Sequence, residues 1–214
     1  MVLRYYGHSL FTVTLQNGTV ILTDPYNKFC RYPRRELDAN IVTISHHHYD
    51  HDALEIVKGR PTVLDEAGYY LLPGDIIVTG VPTFHDNHTG SRRGQNIVFV
   101  IEAEGVRLVH LGDLGHFPDE AQLEAIGKPD VLFIPVGGTF TLDAQRAARC
   151  VEMLSPRMTV PMHYQTRFSE DLGIAPVTDF LSIVGACTEP VMEYRLQQET
   201  LDTLPKLLVM DFQA

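Results

Sequence analysis

Four imidazoles and two carboxylates stand within the eight residues from Ser45 to Asp52, "SHHHYDHD", in a chain with only 10 histidines among 214 residues. Zinc and similar divalent ions take imidazole nitrogen and carboxylate oxygen as ligands, so the stretch reads first as a metal site. In an extended segment alternate side chains share a face, which lets His46 and His48 reach one ion while His47 points elsewhere. A bend after Tyr49 would turn Asp50 and His51 toward a second ion. Taken alone, the stretch also fits a solvated polar loop, so its meaning depends on what the rest of the chain brings to it.

Three further polar residues each close an apolar run: His85 ends "GVPTFH", Asp113 ends "VRLVHLGD" and His163 ends "MTVPMH". Singly, each is as well explained by a cap or by a hydrogen bond to a neighbouring ligand. Their shared position favours ligation. If the runs are neighbouring strands, their ends form one edge, which is where layered α/β folds place ligand sites.

Strands are predicted over 41–45, 61–64, 75–80, 96–103, 106–112, 130–136, 158–162 and 206–211, each a short apolar run between polar turns. The segments "LFTVTL", "QNGT" and "VILTD" read as a hairpin, with Asn17 and Gly18 supplying positive φ. The cluster at 46–51 follows the strand at 41–45 and is expected on a strand-to-helix loop. Ala144, Ala147, Ala148, Val151 and Leu154 fall on one helical face, which Asp143 can cap. Shorter helical patterns cover 118–126 and 177–186. No repeat, low-complexity tract or linker divides the chain, so residues 1–214 are expected to form one domain of mixed α/β layers.

The ordered set His46-x-His48-x-Asp50-His51, His85, Asp113 and His163 resembles the metallo-β-lactamase superfamily over roughly residues 1–165. The segments "YYGHSLF", "TDP", "FHDN", "RRGQN", "HLGDLGH", "PVGGTFTLD" and "PMHY" resemble its small bacterial hydrolases, which include the ascorbate-phosphate lactonase relatives. The resemblance implies a four-layer αββα sandwich with two divalent metal ions at one edge, zinc foremost and manganese or iron as alternatives. It implies His46, His48 and His85 on the first ion, Asp50, His51 and His163 on the second, and Asp113 bridging them. The last fifty residues match no motif.

Two such ions would acidify a shared water toward a pKa of about 7, so that a bridging hydroxide is the expected nucleophile. Asp50 would orient it and could pass a proton to the leaving group. "GHSL" is not the Gly-x-Ser-x-Gly of a nucleophile elbow, and the 3 cysteines, Cys30, Cys150 and Cys187, lie outside every ligand motif. His8 and His116 are candidate catalytic histidines, each equally explained as a hydrogen-bonded structural residue. Asp24, in "TDP", is a candidate partner for a metal-ligating histidine. Arg92 and Arg93 are candidate substrate-binding residues that could clamp a phosphate or carboxylate, solvated loop charges being the plainer reading.

A formal net charge of −10 repels phosphate backbones and anionic lipid. Two divalent ions, by contrast, outweigh the site's aspartates and leave a positive pocket. The expected substrate is a small anionic ester, lactone or phosphodiester, with neither nucleic acid nor membrane as partner. An odd cysteine count without Cys-x-x-Cys, and the lack of a signal peptide or long apolar run, point to a cytoplasmic protein. Two other functions suit the same ligands. One is an iron redox protein, against which the lack of a flavin-binding domain argues; the other is a metal-bearing binding protein without turnover.

Overall fold

The computed structural model describes residues 1–27, 30–33 and 35–213. The chain begins with β1 (Val2–Gly7), β2 (Leu10–Thr14), β3 (Val20–Thr23), a short β4 (Leu37–Asp38), β5 (Ile41–Thr43), a short β6 (Val57–Lys58) and β7 (Thr62–Leu64). A meander of β8 (Gly68–Leu72), β9 (Ile76–Phe84), β10 (Gln95–Ala103) and β11 (Val106–His110) follows. Helices and strands then alternate through α1 (Glu120–Ile126), β12 (Val131–Pro135), α2 (Ala144–Leu154), β13 (Met158–Met162), α3 (Val177–Val184) and β14 (Glu193–Arg195).

Two six-stranded mixed sheets result, in the orders β14-β1-β2-β3-β5-β7 and β13-β12-β11-β10-β9-β8. Leu3, Phe11, Val13 and Ile21 of the first sheet share one buried cluster with Phe99, Ile101, Val109 and Phe133 of the second. Fully burying one such side chain contributes roughly 1.5–3 kcal/mol, so this interlayer is the main source of stability. The parallel steps β11-β12 and β12-β13 need crossovers, which α1 and α2 supply over the second sheet. Asp143 caps α2 by accepting the Arg146 N–H, and Ala144, Ala147, Cys150 and Leu154 are its buried face. α3 packs on α2.

The outer face of the first sheet is covered differently. Leu10, Leu22, Val42 and Ile44 pack under Tyr26, Tyr32, Leu37 and Val57, and β4 pairs with β6 there. Among the described residues this fourth layer holds no α-helix; it contains Pro25 and Pro33, which lack the N–H that a helix interior needs. The sandwich is therefore four-layered as expected, with three α-helices on one side and an irregular cover on the other.

Several local expectations change. The loop after β5 leads into a single 3₁₀ turn, Leu54–Ile56, and not into an α-helix. Residues 206–211 form isolated bridges to Thr159 and Val191 instead of a strand. α1 starts at Glu120, where Asp119 and Gln122 form a reciprocal cap, and α3 stops at Val184 because Gly185 takes positive φ. In the β2–β3 turn Gly18 alone supplies positive φ. β1, β8 and β14 lie outside the predicted strands. The C-terminal segment without motifs contributes Phe180, Leu196, Leu208 and Met210 to the main core. No helix among the described residues is long and apolar enough to cross a membrane.

Candidate metal centre

Strand direction explains why the polar residues meet. β1 and β3 run the same way because each is antiparallel to β2, and β5 is parallel to β3. In the second sheet β9, β11 and β13 likewise share one direction. His8, Asp24 and His46 follow the C-terminal ends of β1, β3 and β5; His85, Asp113 and His163 follow β9, β11 and β13. Both sheets thus deliver polar side chains to one edge. Three of these residues, His8 (φ 55°), Asp24 (φ 39°) and His163 (φ 51°), have left-handed backbone without being glycine. Such strain gathers where the surroundings over-determine a functional geometry.

The ligand atoms fall into groups within 4.8 Å of one another: His46, His48 and His85; His8, Asp50, His51 and His163; and His46, His51 and Asp113. Asp113 lies between the first two. Its Oδ2 is 3.2 Å from His85 Nε2, 3.3 Å from His163 Nε2 and 3.4 Å from His51 Nε2. Ligands placed tetrahedrally about 2.1 Å from one ion stand about 3.4 Å apart, whereas N–H···O hydrogen bonds cluster near 2.9 Å. The spacing is compatible with a coordination shell. A Cβ at Gly112 would collide with Asn96 and Ser45, so glycine there is what lets Asp113 approach.

One carboxylate sets the tautomers of two of these histidines. Asp24 Oδ2 accepts from His51 Nδ1 at 2.9 Å and from the Ser45 hydroxyl at 2.6 Å, and Oδ1 accepts from Ser45 N at 2.7 Å. With its proton committed to Asp24, Ser45 Oγ can only accept from His46 Nδ1, 2.9 Å away. His46 and His51 therefore both turn an Nε2 lone pair inward. Asp113 is held by its backbone N–H, which donates to Asn96 Oδ1 at 2.9 Å, while Asn96 Nδ2 donates to Thr83 Oγ1 and Leu111 O.

His46 Nε2, which faces the cluster, and Asp113 Oδ1 are buried without a hydrogen bond, a costly state that a bound cation or water would relieve. His85 Nδ1 and His163 Nδ1, on the ring sides away from Asp113, are unpaired as well. Burial lowers the pKa of His46 to about 2, further depressed by neighbouring His51. Burial opposes charge on His51 as well, but the carboxylates of Asp113 and Asp24 outweigh it and raise its pKa. The Asp113 carboxyl is pulled well below its usual range by His163 and His51 against the effect of burial. The donor set and the unpaired buried atoms fit a divalent metal ion. In its absence the strongest local demand for positive charge falls on His51.

The other predicted residues separate. Asp50 Oδ2 joins the second group, 3.2 Å from His8 Nε2 and 3.9 Å from His51 Nε2. His47 is turned away to Asp52 and Asp65. His116 does not enter the cluster: its Nε2 accepts from Phe84 N at 3.1 Å and its Nδ1 faces Phe117 O at 2.8 Å, so it ties the end of β9. Arg93, with His46 and His48, lines a cleft of about 340 Å³. Its guanidinium donates to Thr139 O and lies over Phe140. Arg92 does not line that cleft; its backbone N–H donates to Asp86. A larger cleft of about 470 Å³, lined by Tyr6, Tyr26 and Tyr32 among others, includes none of the metal-cluster residues. Ser45 and Asn96 were not singled out from sequence. Asn96 is fully buried near the start of β10, which its place in "RRGQN" does not reveal.

A family model described as a beta-lactamase superfamily domain matches residues 2–163. A metal-dependent hydrolase of Thermococcus onnurineus is 33% identical over 190 residues, covering 76% of this chain and 84% of that protein. Another, of Methanosphaera stadtmanae, is 30% identical over 226 residues, covering 90% and 97%. A solved structure from Thermotoga maritima, described as a candidate Zn-dependent hydrolase of the metallo-beta-lactamase superfamily, is 37% identical with a TM-score of 0.81 over 99% of both chains. With imidazoles and carboxylates gathered at one sheet edge and these likenesses along most of its length, this chain belongs to the metallo-β-lactamase superfamily.

Proposed function

We propose that this chain is a single-domain hydrolase with a dinuclear metal centre, acting on a small anionic ester, lactone or phosphodiester. The observation that carries the reading is the convergence of two ligand groups on one carboxylate oxygen of Asp113. His46, His48 and His85 would hold one ion; Asp50, His51 and His163 the other; Asp113 would serve both. The donor set of imidazoles and carboxylates suits zinc best, and also manganese or iron. Bound ions would supply an acidified water and polarise the scissile carbonyl or phosphoryl oxygen.

The chain's own residues do the rest. Asp24 holds the His46 and His51 rings with their lone pairs inward, directly and through Ser45. Burial opposes charge on Asp50, but hydrogen bonding to His8 and the nearby His51 keep its carboxyl below the usual range. Asp50 is therefore an acceptor at neutral pH, suited to orienting a water and not to donating a proton. Arg93 is fixed by Thr139 and Phe140 beside His46 and His48, where its charge can receive a substrate carboxylate or phosphate. Free thiols at Cys30, Cys150 and Cys187 suit a cytoplasmic setting.

The test is a screen of metal-loaded protein against lactones, thioesters and phosphodiesters. Turnover of at least one class, abolished by chelator and restored by added metal, is expected; inactivity across the panel with metal bound would contradict the reading.

A further inference from the structure

We infer that His8 is itself a metal ligand, and that with Asp50, His51 and His163 it makes a four-residue set enclosing the second ion position. The inference rests on the dinuclear reading and deepens it, because it makes the two positions unequal. His8 Nε2 lies 3.2 Å from His51 Nε2 and 3.2 Å from Asp50 Oδ2, close to the separations between Asp113 Oδ2 and its three histidines. Its ring centroid is 4.2 Å from that of His163. The four ligand atoms lie within 4.8 Å of one another.

The backbone around His8 is built to keep it there. Gly7 has φ 103°, and the Tyr32 ring occupies the space a Cβ would need. His8 follows in left-handed backbone at φ 55°. Its carbonyl accepts from the Tyr5 hydroxyl and from His163 N, both at 2.9 Å, which ties β1 directly to the loop bearing another ligand. The side chain is 2% exposed. A histidine that merely lined a substrate pocket would not need this enclosure. His51 Nε2 lies 3.2 Å from His8 Nε2, 3.4 Å from Asp113 Oδ2 and 3.9 Å from Asp50 Oδ2, and with the His51 proton held on Nδ1 by Asp24 this gathering of nitrogen and carboxylate oxygen suits a cation.

With Asp113 shared by both ions, His8 gives the second position five protein ligands against four at the first, and each added protein ligand leaves less room for water or substrate. His48 of the first position is exposed beside the Arg93 cleft. The second position is thus the tighter, retaining site, and the first is where a substrate oxygen enters.

His8→Ala and His8→Gln separate ligation from hydrogen bonding, since Gln restores an N–H donor to Asp50. Cobalt binding to chelator-treated protein, followed by visible absorption and competition with a chromophoric chelator, reads each ion separately. The parent is expected to bind two ions with unequal affinity. Both variants should bind one as the parent does and the other at least about 10-fold more weakly. Parental affinity for both ions in His8→Gln would overturn the inference. A parent that binds a single ion would remove the dinuclear reading instead, and weakening of that ion in both variants would still support His8 as a ligand. Nitrogen NMR of the histidine side chains in the parent needs no variant to fold: the His8 Nε2 resonance should move on metal addition, and an unmoved resonance overturns the inference.

Discussion

Asp113 presents a single oxygen to three histidines from three different loops, so its removal should be felt by more than one ligand group. Asp113→Ala is expected to weaken binding of at least one ion by about 100-fold or more, above the range for residues that only orient a ligand. The fold should survive, because the residue follows a strand end. Metal content measured on a variant with parental circular dichroism checks this; two ions at parental affinity would remove Asp113 from its bridging role. Asp24 acts one step back. Asp24→Asn leaves one acceptor oxygen where three donors now point, so either His51 or Ser45 loses its partner. Metal affinity should fall about 10–100-fold, as chelator competition would show, and unchanged affinity would mean that ring orientation comes from elsewhere. The sequence revealed both residues, since each stands directly after an apolar run. It left both readings of His116 open, because spacing from Asp113 says nothing about which way a bend turns the side chain. It could not divide Arg92 from Arg93 either, because neighbouring residues on a loop share composition while only one faces the cleft.

The loop after β9 shows how an element is made to carry a ligand. Asp86, next to His85, accepts backbone N–H bonds from His88 (2.7 Å), Gly90 (3.0 Å), Arg92 (2.9 Å) and Arg93 (2.8 Å). One buried carboxylate thus folds the loop that bears both a proposed ligand and the proposed anion clamp. Asp86→Ala should destabilise the protein by about 1–3 kcal/mol, since those donors lose a charged acceptor. A chemical denaturation midpoint equal to the parent's would show that the loop holds its shape without it. Strands β10 to β13 were legible because near-continuous apolar runs between polar turns mark them, whereas β9 runs on to Phe84, four residues past the predicted 75–80. β8 was not: it is an edge strand whose Tyr69 and Leu71 point outward, so no alternating pattern marks it. β14 is only three residues long and gains its structure from pairing with β1, a contact 189 or more residues away in sequence. Residues 206–211 have the composition of a strand, yet they make only bridges, because tertiary position overrides propensity.

At the scale of the molecule, acid should destabilise the metal-free protein. Burial is the first cause of lowered pKa for His8 (to about 4), His46 (to about 2), His48 and His110. Each of these binds a proton more readily when unfolded, so folding loses stability as pH drops below about 6.5 and on toward the folded value. His51, with a raised pKa, works the other way and offsets part of that loss. The depressed carboxylates of Asp24, Asp50 and Asp113 keep their stabilising charge until lower pH. Thermal melts of chelator-treated protein should therefore fall between about pH 6.5 and 4, by about 2–4 °C per net kcal/mol. A flat or rising melting temperature across that window would show that the histidine cluster does not resist protonation. The measurement that bears most directly on a dinuclear hydrolase is reconstitution: metal-free protein titrated with zinc or manganese while hydrolysis of the fastest compound in the panel is followed. Activity should reach its plateau only at two ions per chain, because Asp113 would serve both ions of the proposed centre. A plateau at one ion per chain, or two bound ions without turnover of any compound, would contradict the account.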